Sequence, residues 1–390
     1  MTANVTSIVR ARAEARGRAQ RSVANTRLQV GLIVVVGVLT VVGLGATLSA
    51  SSVAGLEQAQ DGLYFFKRQA IGVGIGLVVL VATSLIPYRV YRRLAWPIFL
   101  VTVALLVAVL VVGTTVYGAT RWLPLGPLSF QPSELAKFSV VILMSALLVK
   151  KQSLLLDFGH FIVPVAAIVG TVGLLLMLQP DLGTSIIVGT ATMAVLAASA
   201  APLRYVAFVG VSAVAATTAL ALVEPYRRAR LTSFLDPFAD PLGDGYQLIQ
   251  SYLALGTGGT FGVGLGASRA RWLFLPNAHS DFIFAIIGEE TGFLGGVVVL
   301  LLFAFLTVLG VVVALRASDR FGRLLAIGFT AWLGTQALVN LGGVIGLLPI
   351  TGIPLPFVSF GSTAIISCMA AAGVLVNIAR HGGSRRPAGG

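Results

Sequence analysis

The sequence predicts an all-α polytopic membrane protein with about ten transmembrane helices and one large extracytoplasmic loop. Of its 390 residues, 57% are hydrophobic and only 11% are charged, whereas a soluble domain carries about a quarter charged residues. Runs of about 20 apolar residues, which are long enough to cross a bilayer as a helix, recur along the chain. A single cysteine excludes an internal disulfide and a cysteine-based metal site, and three scattered histidines argue against a histidine metal cluster.

Ten apolar segments form the predicted membrane domain over residues 28–378. Residues 1–27 are expected to be a disordered basic tail, residues 379–390 a short tail, and residues from about 224 to 280 the large outer loop. Apolar sequence from 282 to 315 is too long for one span, so either residues 281–290 lie at the membrane interface or the helix breaks near Gly292. The ten segments are 28–50, 70–86, 97–114, 133–148, 161–178, 184–198, 205–223, 292–315, 324–347 and 363–378.

The basic residues indicate which side of the membrane each loop faces. The two tails and the four loops predicted on their side together hold 18 of the 27 Lys and Arg residues. Because short loops rich in Lys and Arg stay in the cytoplasm, both termini are predicted to be cytoplasmic. The net charge of +13 is thereby explained by topology and does not indicate a nucleic-acid partner.

Asp281 is a lone carboxylate where the large polar loop meets an apolar helix. A carboxylate that is partly desolvated at such a boundary can have a raised pKa and serve as a general base. The alternative is a helix N-terminal aspartate, because Ser280 and Asp281 precede a helical run. Glu289 and Glu290 follow, but at about 100° per residue they cannot both share the face of Asp281 on one straight helix. A paired-carboxylate mechanism is therefore disfavoured.

Glu134 and Lys137 are the ionisable pair of the fourth span. They are three residues apart on one helix face and can pair. Ionisable residues inside a span are costly and usually functional, and a lysine near an anionic substrate binds phosphate as a point charge. The alternative is a structural ion pair that holds the helix bundle together.

Two further outer loops carry candidate site residues. Arg121, followed by Trp122, is either an interface anchor or a clamp for an anion. Asp181 lies in the tight turn between the fifth and sixth spans. A turn explains the neighbouring Pro180 and Gly183 but leaves Asp181 less well explained.

The large outer loop is both basic and rich in glycine. Basic residues on an outer surface are not needed for topology, so they suggest an anionic ligand such as a lipid diphosphate, with attraction to anionic lipid as the alternative. The glycines between Gly256 and Gly266 are not followed by Gly-Lys-Ser/Thr, so we interpret them as close packing or a flexible loop rather than a phosphate cradle. The arginines are Arg227, Arg228, Arg230, Arg269 and Arg271.

Six motifs follow one another along the chain. They are GATRW at 118–122, FQPSELAK at 130–137, QPDLGT at 179–184, RRARLTSFLDPFADPLGDGYQLIQSYLALGTGG at 227–259, LPNAHSDFIFAIIGEE at 275–290 and GLLPITGIPLPFVSFGSTA at 346–364. With these residues, in this order, the chain closely resembles the SEDS family of shape, elongation, division and sporulation proteins. The resemblance covers nearly everything after residue 30.

The resemblance implies a peptidoglycan glycosyltransferase that polymerises lipid II on the outer face of the bacterial cytoplasmic membrane. Its expected partners are lipid II, the nascent glycan strand, a class B penicillin-binding protein and other divisome or elongasome membrane proteins. The family's essential aspartate matches Asp281. In the family the donor linkage is α and the product linkage is β, so the displacement inverts and needs no enzyme nucleophile. One carboxylate acting as general base then suffices.

By the same resemblance, Glu134 and Lys137 shape the site, and Arg121 and Lys137 are the candidates for binding the leaving lipid diphosphate. Cationic groups, with or without a divalent cation such as Mg²⁺ or Mn²⁺, are needed to stabilise that diphosphate. The basic loop, including Arg230 and Arg271, is expected to hold acceptor or glycan. Asp181 and His279 complete the predicted substrate site.

The segment SDFIFAIIGEE, with Gly288 before the two glutamates, favours the division branch of the family over the elongation branch. Two other functions remain alternatives. A lipid II flippase would need a polar pathway across the membrane, whereas the ionisable residues here cluster on the outer face. A non-catalytic scaffold for the partner synthase would not depend on Asp281.

Overall fold

The computed structural model describes residues 2–116, 119–125, 128–223, 225–272, 275–276 and 278–382. Within these residues it contains twelve α-helices and three short strands, joined in two places by a 3₁₀ turn. The helices are α1 Thr2–Ala59, α2 Tyr64–Leu85, α3 Arg89–Val112, α4 Pro132–Lys150, α5 Phe158–Leu178, α6 Leu182–Ala197, α7 Leu203–Val223, α8 Pro225–Leu235, α9 Tyr246–Gly258, α10 Ile283–Arg316, α11 Arg320–Val344 and α12 Ser362–Arg380. The strands are β1 Thr114–Val116, β2 Ala119–Leu125 and β3 Leu128–Phe130.

The apolar helices match the ten predicted segments. In the described part of the chain, nine helices are long and apolar enough to cross a membrane, namely α1 to α5, α7 and α10 to α12. Helix α6 has 16 residues; it is apolar and coincides with the sixth predicted segment. The predicted all-α polytopic fold is therefore confirmed, and the large outer loop contains the additional helices α8 and α9.

Helix α1 continues from the first span back to Thr2, where the sequence predicts a disordered tail. Alanine and arginine dominate this stretch, and both are good helix formers. The span supplies a helix that is already formed, so extension avoids the cost of nucleation. At the other terminus, residues 383–390 of the predicted tail lie outside the described residues.

A small antiparallel sheet stands between α3 and α4, where the sequence predicts an irregular loop. Strand β2 pairs with β1 on one side and with β3 on the other. The hydroxyls of Thr115 and Thr120 hydrogen-bond across β1 and β2 at 2.8 Å. β-Branched residues favour such pairs, and the sheet fixes the position of Arg121 on β2.

Helices α4 and α12 form the centre of the bundle. Of the most apolar window of each helix, 83% is buried in α4 and 89% in α12, against only 6% in α7. A helix that is apolar on all sides and also buried on all sides belongs to the core of a bundle. Helix α7 consequently presents its apolar surface to lipid.

Helix α10 breaks at Gly292, whose φ is 69° and ψ is −170°. This backbone conformation is essentially restricted to glycine. Residues 283–290, which precede the break, are buried inside the protein. Of the two arrangements that the sequence leaves open, the break near Gly292 is thus confirmed, whereas the depth of residues 281–290 in the membrane stays a prediction.

The glycine-rich segment after α9 packs directly against this break. A Cβ atom on Gly262 would come within 2.1 Å of the carbonyl oxygen of Glu290. The N–H groups of Val263 and Gly264 donate to the carbonyl oxygens of Glu289 and Glu290, at 3.0 and 3.1 Å. Only glycine permits this approach, so close packing is the role of Gly262.

The loops predicted on each side of the membrane gather at opposite ends of the bundle. At one end, Arg121 hydrogen-bonds the carbonyl oxygen of Gln179 at 3.0 Å. At the other end, Arg89 pairs with Asp319 at 3.1 Å. The grouping of loops agrees with the predicted topology, whereas the side that faces the cytoplasm stays a prediction.

Candidate active site

Asp281 lies just before α10, in a small cleft of about 10 Å³, roughly the room of one water, that is bounded by α11 and by residues 350–353. The amide of Asn340 on α11 donates to the carbonyl oxygens of Asp281 and Ile353, both at 2.8 Å. The hydroxyl of Ser359 donates to the carbonyl oxygen of Ser280. These bonds fix the backbone on both sides of the aspartate, while its side chain stays partly exposed in the cleft.

Arg230, from helix α8, borders the same space as Asp281. Its Nη1 donates to the carbonyl oxygen of Ile350 at 3.1 Å. A Cβ atom on Gly352 would lie 3.4 Å from Asp281 Oδ2 and 3.6 Å from Arg230 Nη1. Gly352 has φ 72°, a conformation that glycine adopts without strain. The glycine therefore leaves room between a carboxylate and a guanidinium.

The surroundings of Asp281 raise the pKa of its carboxyl group above the usual value. Burial is the main cause, because it disfavours the charged form. The positive charge of Arg230, a hydrogen bond from Ser280 and the charge of Arg121 act in the opposite direction, in decreasing order. A raised pKa is the property expected of a carboxylate that accepts a proton during a reaction.

Arg121 lies on strand β2, close enough to the cleft for its charge to act on Asp281. Its Nε donates to the carbonyl oxygen of Gln179 at 3.0 Å, and its Nη2 donates to that of Pro180. These carbonyls follow the C-terminus of α5, where a helix favours positive charge. Arg121 thus holds the turn between α5 and α6, and its charge still lowers the pKa of Asp281.

Asp181 caps the N-terminus of α6. Its Oδ1 accepts from the N–H of Thr184 at 3.1 Å, as an N-cap aspartate does. The side chain is buried, and its Oδ2 has no hydrogen-bond partner among the described residues. The structure explains Asp181 as a cap, and its contact with substrate stays a prediction.

His279 precedes Asp281 by two residues and packs against two aromatic rings. Its ring centroid is 4.4 Å from that of Phe65 and 5.5 Å from that of Phe360. Burial lowers the pKa of His279 to about 4. The imidazole is consequently neutral at pH 7 and supplies no positive charge to an anionic substrate.

The ion pair predicted between Glu134 and Lys137 is confirmed. Lys137 Nζ lies 2.8 Å from Glu134 Oε1 and 2.8 Å from Gln336 Oε1. Glu134 Oε2 accepts from the hydroxyl of Ser367 at 2.9 Å. Because the side chains of Lys137 and Glu134 are only 1% and 2% exposed, the pair joins α4 to α11 and α12 inside the bundle. A direct contact of Lys137 with diphosphate stays a prediction.

One face of α11 links this ion pair to the cleft. Trp332, Gln336 and Asn340 are spaced four residues apart and therefore share a helix face. Trp332 Nε1 donates to Gln336 Oε1 at 2.7 Å, and Gln336 Nε2 donates to the carbonyl oxygen of Pro354 at 2.8 Å. We missed these residues in the sequence, although polar side chains at helical spacing inside an apolar span are a usable signal.

The other predicted residues of the outer loop make their described contacts with residues other than Asp281. Arg271 packs its guanidinium 5.7 Å from the ring centroid of Trp272. Glu289 accepts hydrogen bonds from the hydroxyl of Ser268 and from the N–H groups of Arg269 and Ala270. Glu289 therefore anchors the loop that carries these arginines.

Of the other arginines in the outer loop, Arg228 is exposed. The side chain of Arg227 lies outside the described residues.

Among the described residues, no group of three or more His, Cys, Asp or Glu side chains is placed to hold a metal ion. Asp281 is a single carboxylate, and its main charged neighbours, Arg230 and Arg121, are cationic. Mg²⁺ is commonly bound by one or two carboxylates together with substrate phosphates. These side chains therefore do not form a resident metal site without a ligand that brings its own oxygens.

The comparison with known proteins agrees with this architecture. The family described as "Cell cycle protein", which unites FtsW, RodA and SpoVE, matches residues 29–383. A "Probable peptidoglycan glycosyltransferase FtsW" of a Geobacter species is 40% identical over 343 residues, which are 87% of this chain and 94% of that protein. "Stage V sporulation protein E" of Bacillus subtilis is 38% identical over 353 residues, or 90% of this chain and 96% of that protein.

Two solved structures share the fold. One, described as "Structural coordination of polymerization and crosslinking by a peptidoglycan synthase complex", contains a chain with a TM-score of 0.71 and 29% identity, covering 90% of this chain and 97% of that one. The rod shape determining protein RodA of Thermus thermophilus gives a TM-score of 0.64 and 28% identity, with 90% and 96% covered. The chain belongs to the SEDS family of FtsW, RodA and SpoVE proteins.

Proposed function

We propose that this multi-pass membrane protein is a peptidoglycan glycosyltransferase that polymerises lipid II into glycan strands at the outer face of the cytoplasmic membrane. The observation that carries the proposal is the position of Asp281, a carboxylate with raised pKa in a cleft beside Arg230. Relatives at about 40% identity carry the name peptidoglycan glycosyltransferase. The family and the local chemistry therefore support the same activity.

Asp281 acts in this proposal as the general base. It takes the proton from the attacking sugar hydroxyl, and the hydroxyl oxygen forms a bond to the anomeric carbon of the donor. The bond from that carbon to the diphosphate oxygen breaks, and the lipid diphosphate leaves with the electron pair. A single displacement of this kind inverts the anomeric configuration and needs one carboxylate.

Arg230 and Arg121 supply positive charge for the departing diphosphate. Both are close enough to influence the pKa of Asp281, and a fixed cation in a partly desolvated site stabilises developing negative charge. Arg230 borders the cleft itself, so it is the more direct candidate. Lys137 is held by Glu134 and Gln336 and acts through α11, which carries Asn340 to the backbone of Asp281.

A divalent cation would be bound chiefly by the substrate. Its oxygen ligands would come from the diphosphate and water, since Mg²⁺ keeps several waters and binds substrate phosphates, and Asp281 would stay free to accept the proton. Such an ion would supply additional positive charge at the leaving group. The acid–base role of Asp281 does not depend on it.

We further propose a division-type role, in partnership with a class B penicillin-binding protein that cross-links the new strands. The FtsW relatives and a solved neighbour described by both polymerisation and crosslinking support this partnership. The elongation-type alternative predicts the same chemistry with a different partner. The positive-inside rule predicts that both termini lie in the cytoplasm.

The direct test is polymerisation of fluorescent lipid II by the purified protein, with and without a class B penicillin-binding protein. We expect ladders of glycan products. If no product forms even with the partner, while a leaflet assay shows lipid II crossing the bilayer, the chain is a transporter. If neither product nor crossing is detected and the partner's own activity rises, the chain is a scaffold.

A further inference from the structure

A second charged cleft lies at the end of the bundle opposite to Asp281. Arginines from two separate helices line it: Arg89, Arg92 and Arg93 from α3 and Arg320 from α11. It is an open cleft with a volume of about 480 Å³, a size typical of small-molecule sites. We call it the basic cleft. From Gly292 to Arg316, α10 alone spans about 36 Å at 1.5 Å per residue, so the basic cleft is remote from the proposed reaction.

Asp319, the acidic side chain that lines the basic cleft, accepts hydrogen bonds on both of its carboxylate oxygens. Asp319 Oδ2 accepts from Arg89 at 3.1 Å and from the hydroxyl of Tyr88 at 2.7 Å. Its Oδ1 accepts from the N–H of Gly322 at 2.8 Å, which caps α11. Arg92, Arg93 and Arg320 have no acidic partner within the described part of the chain. The basic cleft therefore keeps a net positive charge on exposed side chains.

The remaining walls of the basic cleft are apolar. Val149 of α4 and Phe321 of α11 line it together with the arginines. Trp96, one turn deeper on α3 than Arg92, is 54% exposed. Exposed tryptophans concentrate at the boundary between headgroups and acyl chains. The basic cleft thus opens where a phosphate and the first methylenes of a lipid would lie side by side.

We propose that the basic cleft binds the headgroup of an anionic glycerophospholipid such as phosphatidylglycerol, from the leaflet opposite to the polymerisation site. The guanidinium groups would grip the phosphate in forked hydrogen bonds, and Val149 and Phe321 would contact the glycerol and upper acyl carbons. A basic pocket between membrane helices is a recognised form of lipid site. The lipid would bridge α3, α4 and α11. Helix α4 carries the ion pair of Lys137 with Glu134, and Lys137 also donates a hydrogen bond to Gln336 of α11.

The test uses the full-length protein in a neutral detergent, titrated with dioctanoyl phosphatidylglycerol, with dioctanoyl phosphatidylcholine or with inorganic phosphate. We expect saturable binding of phosphatidylglycerol that phosphatidylcholine does not reproduce. The variant Arg93→Gln/Arg320→Gln should bind about 30-fold more weakly, from the usual contribution of two surface arginines. The variant Arg316→Gln/Arg323→Gln, which removes the same charge at the same end outside the basic cleft, should bind like the wild type.

A second pair of variants separates the cleft from diffuse electrostatic attraction. Val149→Trp places a large ring in the basic cleft, where the acyl carbons would lie, without changing any charge, and should weaken phosphatidylglycerol binding strongly. Val163→Trp, on the exposed surface of α5, should leave it unchanged. Equal weakening by both double-arginine variants, or normal binding by Val149→Trp, would overturn the proposal. Displacement of phosphatidylglycerol by millimolar phosphate would also overturn it and assign the cleft to a free anion.

Discussion

At the scale of single residues, Arg230 influences the pKa of Asp281. Its positive charge lowers the pKa of a carboxyl that burial otherwise raises. Arg230→Gln removes this charge, so the pKa of Asp281 should rise further and the base should lose its proton only at higher pH. We therefore expect the acidic limb of the pH–rate profile of lipid II polymerisation to move to higher pH.

The control for this prediction is Arg230→Lys, which keeps the charge. It should leave the acidic limb in place even where it weakens substrate binding, because lysine lacks the guanidinium fork. The account of Asp281 would be contradicted if Arg230→Gln changed KM while the acidic limb stayed at the wild-type pH.

Asn340 is a positioning residue for Asp281. Asn340→Ala leaves the carbonyl oxygens of Asp281 and Ile353 without their donor, which costs about 1–3 kcal/mol of stability for each unpaired buried group. Displacement of the base by even 1 Å costs about 100-fold in rate. We expect kcat to fall by about that factor, measured at equal amounts of folded protein.

A matched control is Asn377→Ala at the opposite end of the bundle. Asn377 also bridges two segments, accepting from the N–H of Tyr88 and donating to the carbonyl oxygen of Ser84. It should lower the melting temperature similarly without lowering kcat of the folded fraction. Equal kcat losses in both variants would show that Asn340 acts through general stability alone.

The ion pair in α4 acts at the scale of elements, because it joins three helices. Glu134→Ala leaves Lys137 buried without its counter-ion and removes the acceptor of Ser367. Breaking a buried pair from one side costs about 3–5 kcal/mol. We expect a large drop in melting temperature in detergent, and the double variant Glu134→Gln/Lys137→Met should recover much of it. A wild-type melting temperature for Glu134→Ala would refute the structural role.

The contact between the glycine-rich segment and the break in α10 gives a second prediction at this scale. Gly262→Ala would force a methyl group against the carbonyl oxygen of Glu290, so the outer loop should detach and become sensitive to protease. Gly256→Ala is the control, because Gly256 is helical in α9 and a Cβ there meets nothing within 4 Å. Protease resistance of Gly262→Ala equal to that of the control would show that the packing is not needed.

The elements differ in how far the sequence predicts them. Apolar runs alone indicate the ten spans, since a membrane helix is defined by its length and composition. The break at Gly292 can be predicted because the apolar run from 282 to 315 is too long for one span. The sheet that holds Arg121 cannot be predicted in this way, because its three strands are short and are stabilised by pairing with one another. They leave no clear alternation of apolar and polar residues in the sequence. The site residues that we missed, Gln336 and Asn340, act on backbone carbonyls of a loop 13 to 18 residues further on, and no local pattern predicts such partners.

The whole molecule separates two functions between its ends. Asp281, Arg230 and Arg121 gather at one end, while the basic cleft lies at the other. The buried ion pair of α4 connects with both α11 and α12 between them. From this arrangement we predict that the buried ion pair influences the reaction at the surface without contacting substrate.

Lipid II polymerisation by Asp281→Asn beside the wild type, with the partner present, decides whether Asp281 is the general base. Because burial raises the pKa of Asp281, the folded state favours the uncharged form, and the stability that this confers at low pH is lost as pH rises through the folded pKa. Asparagine stays uncharged, so the variant should melt at or above the wild-type temperature at pH 7.

With folding controlled in this way, Asp281→Asn should still bind lipid II but form glycan at least about 100-fold more slowly, the usual contribution of a general base. We expect glycan ladders from the wild type and none from the variant. Ladders formed by Asp281→Asn at the wild-type rate would contradict this expectation and place the base elsewhere.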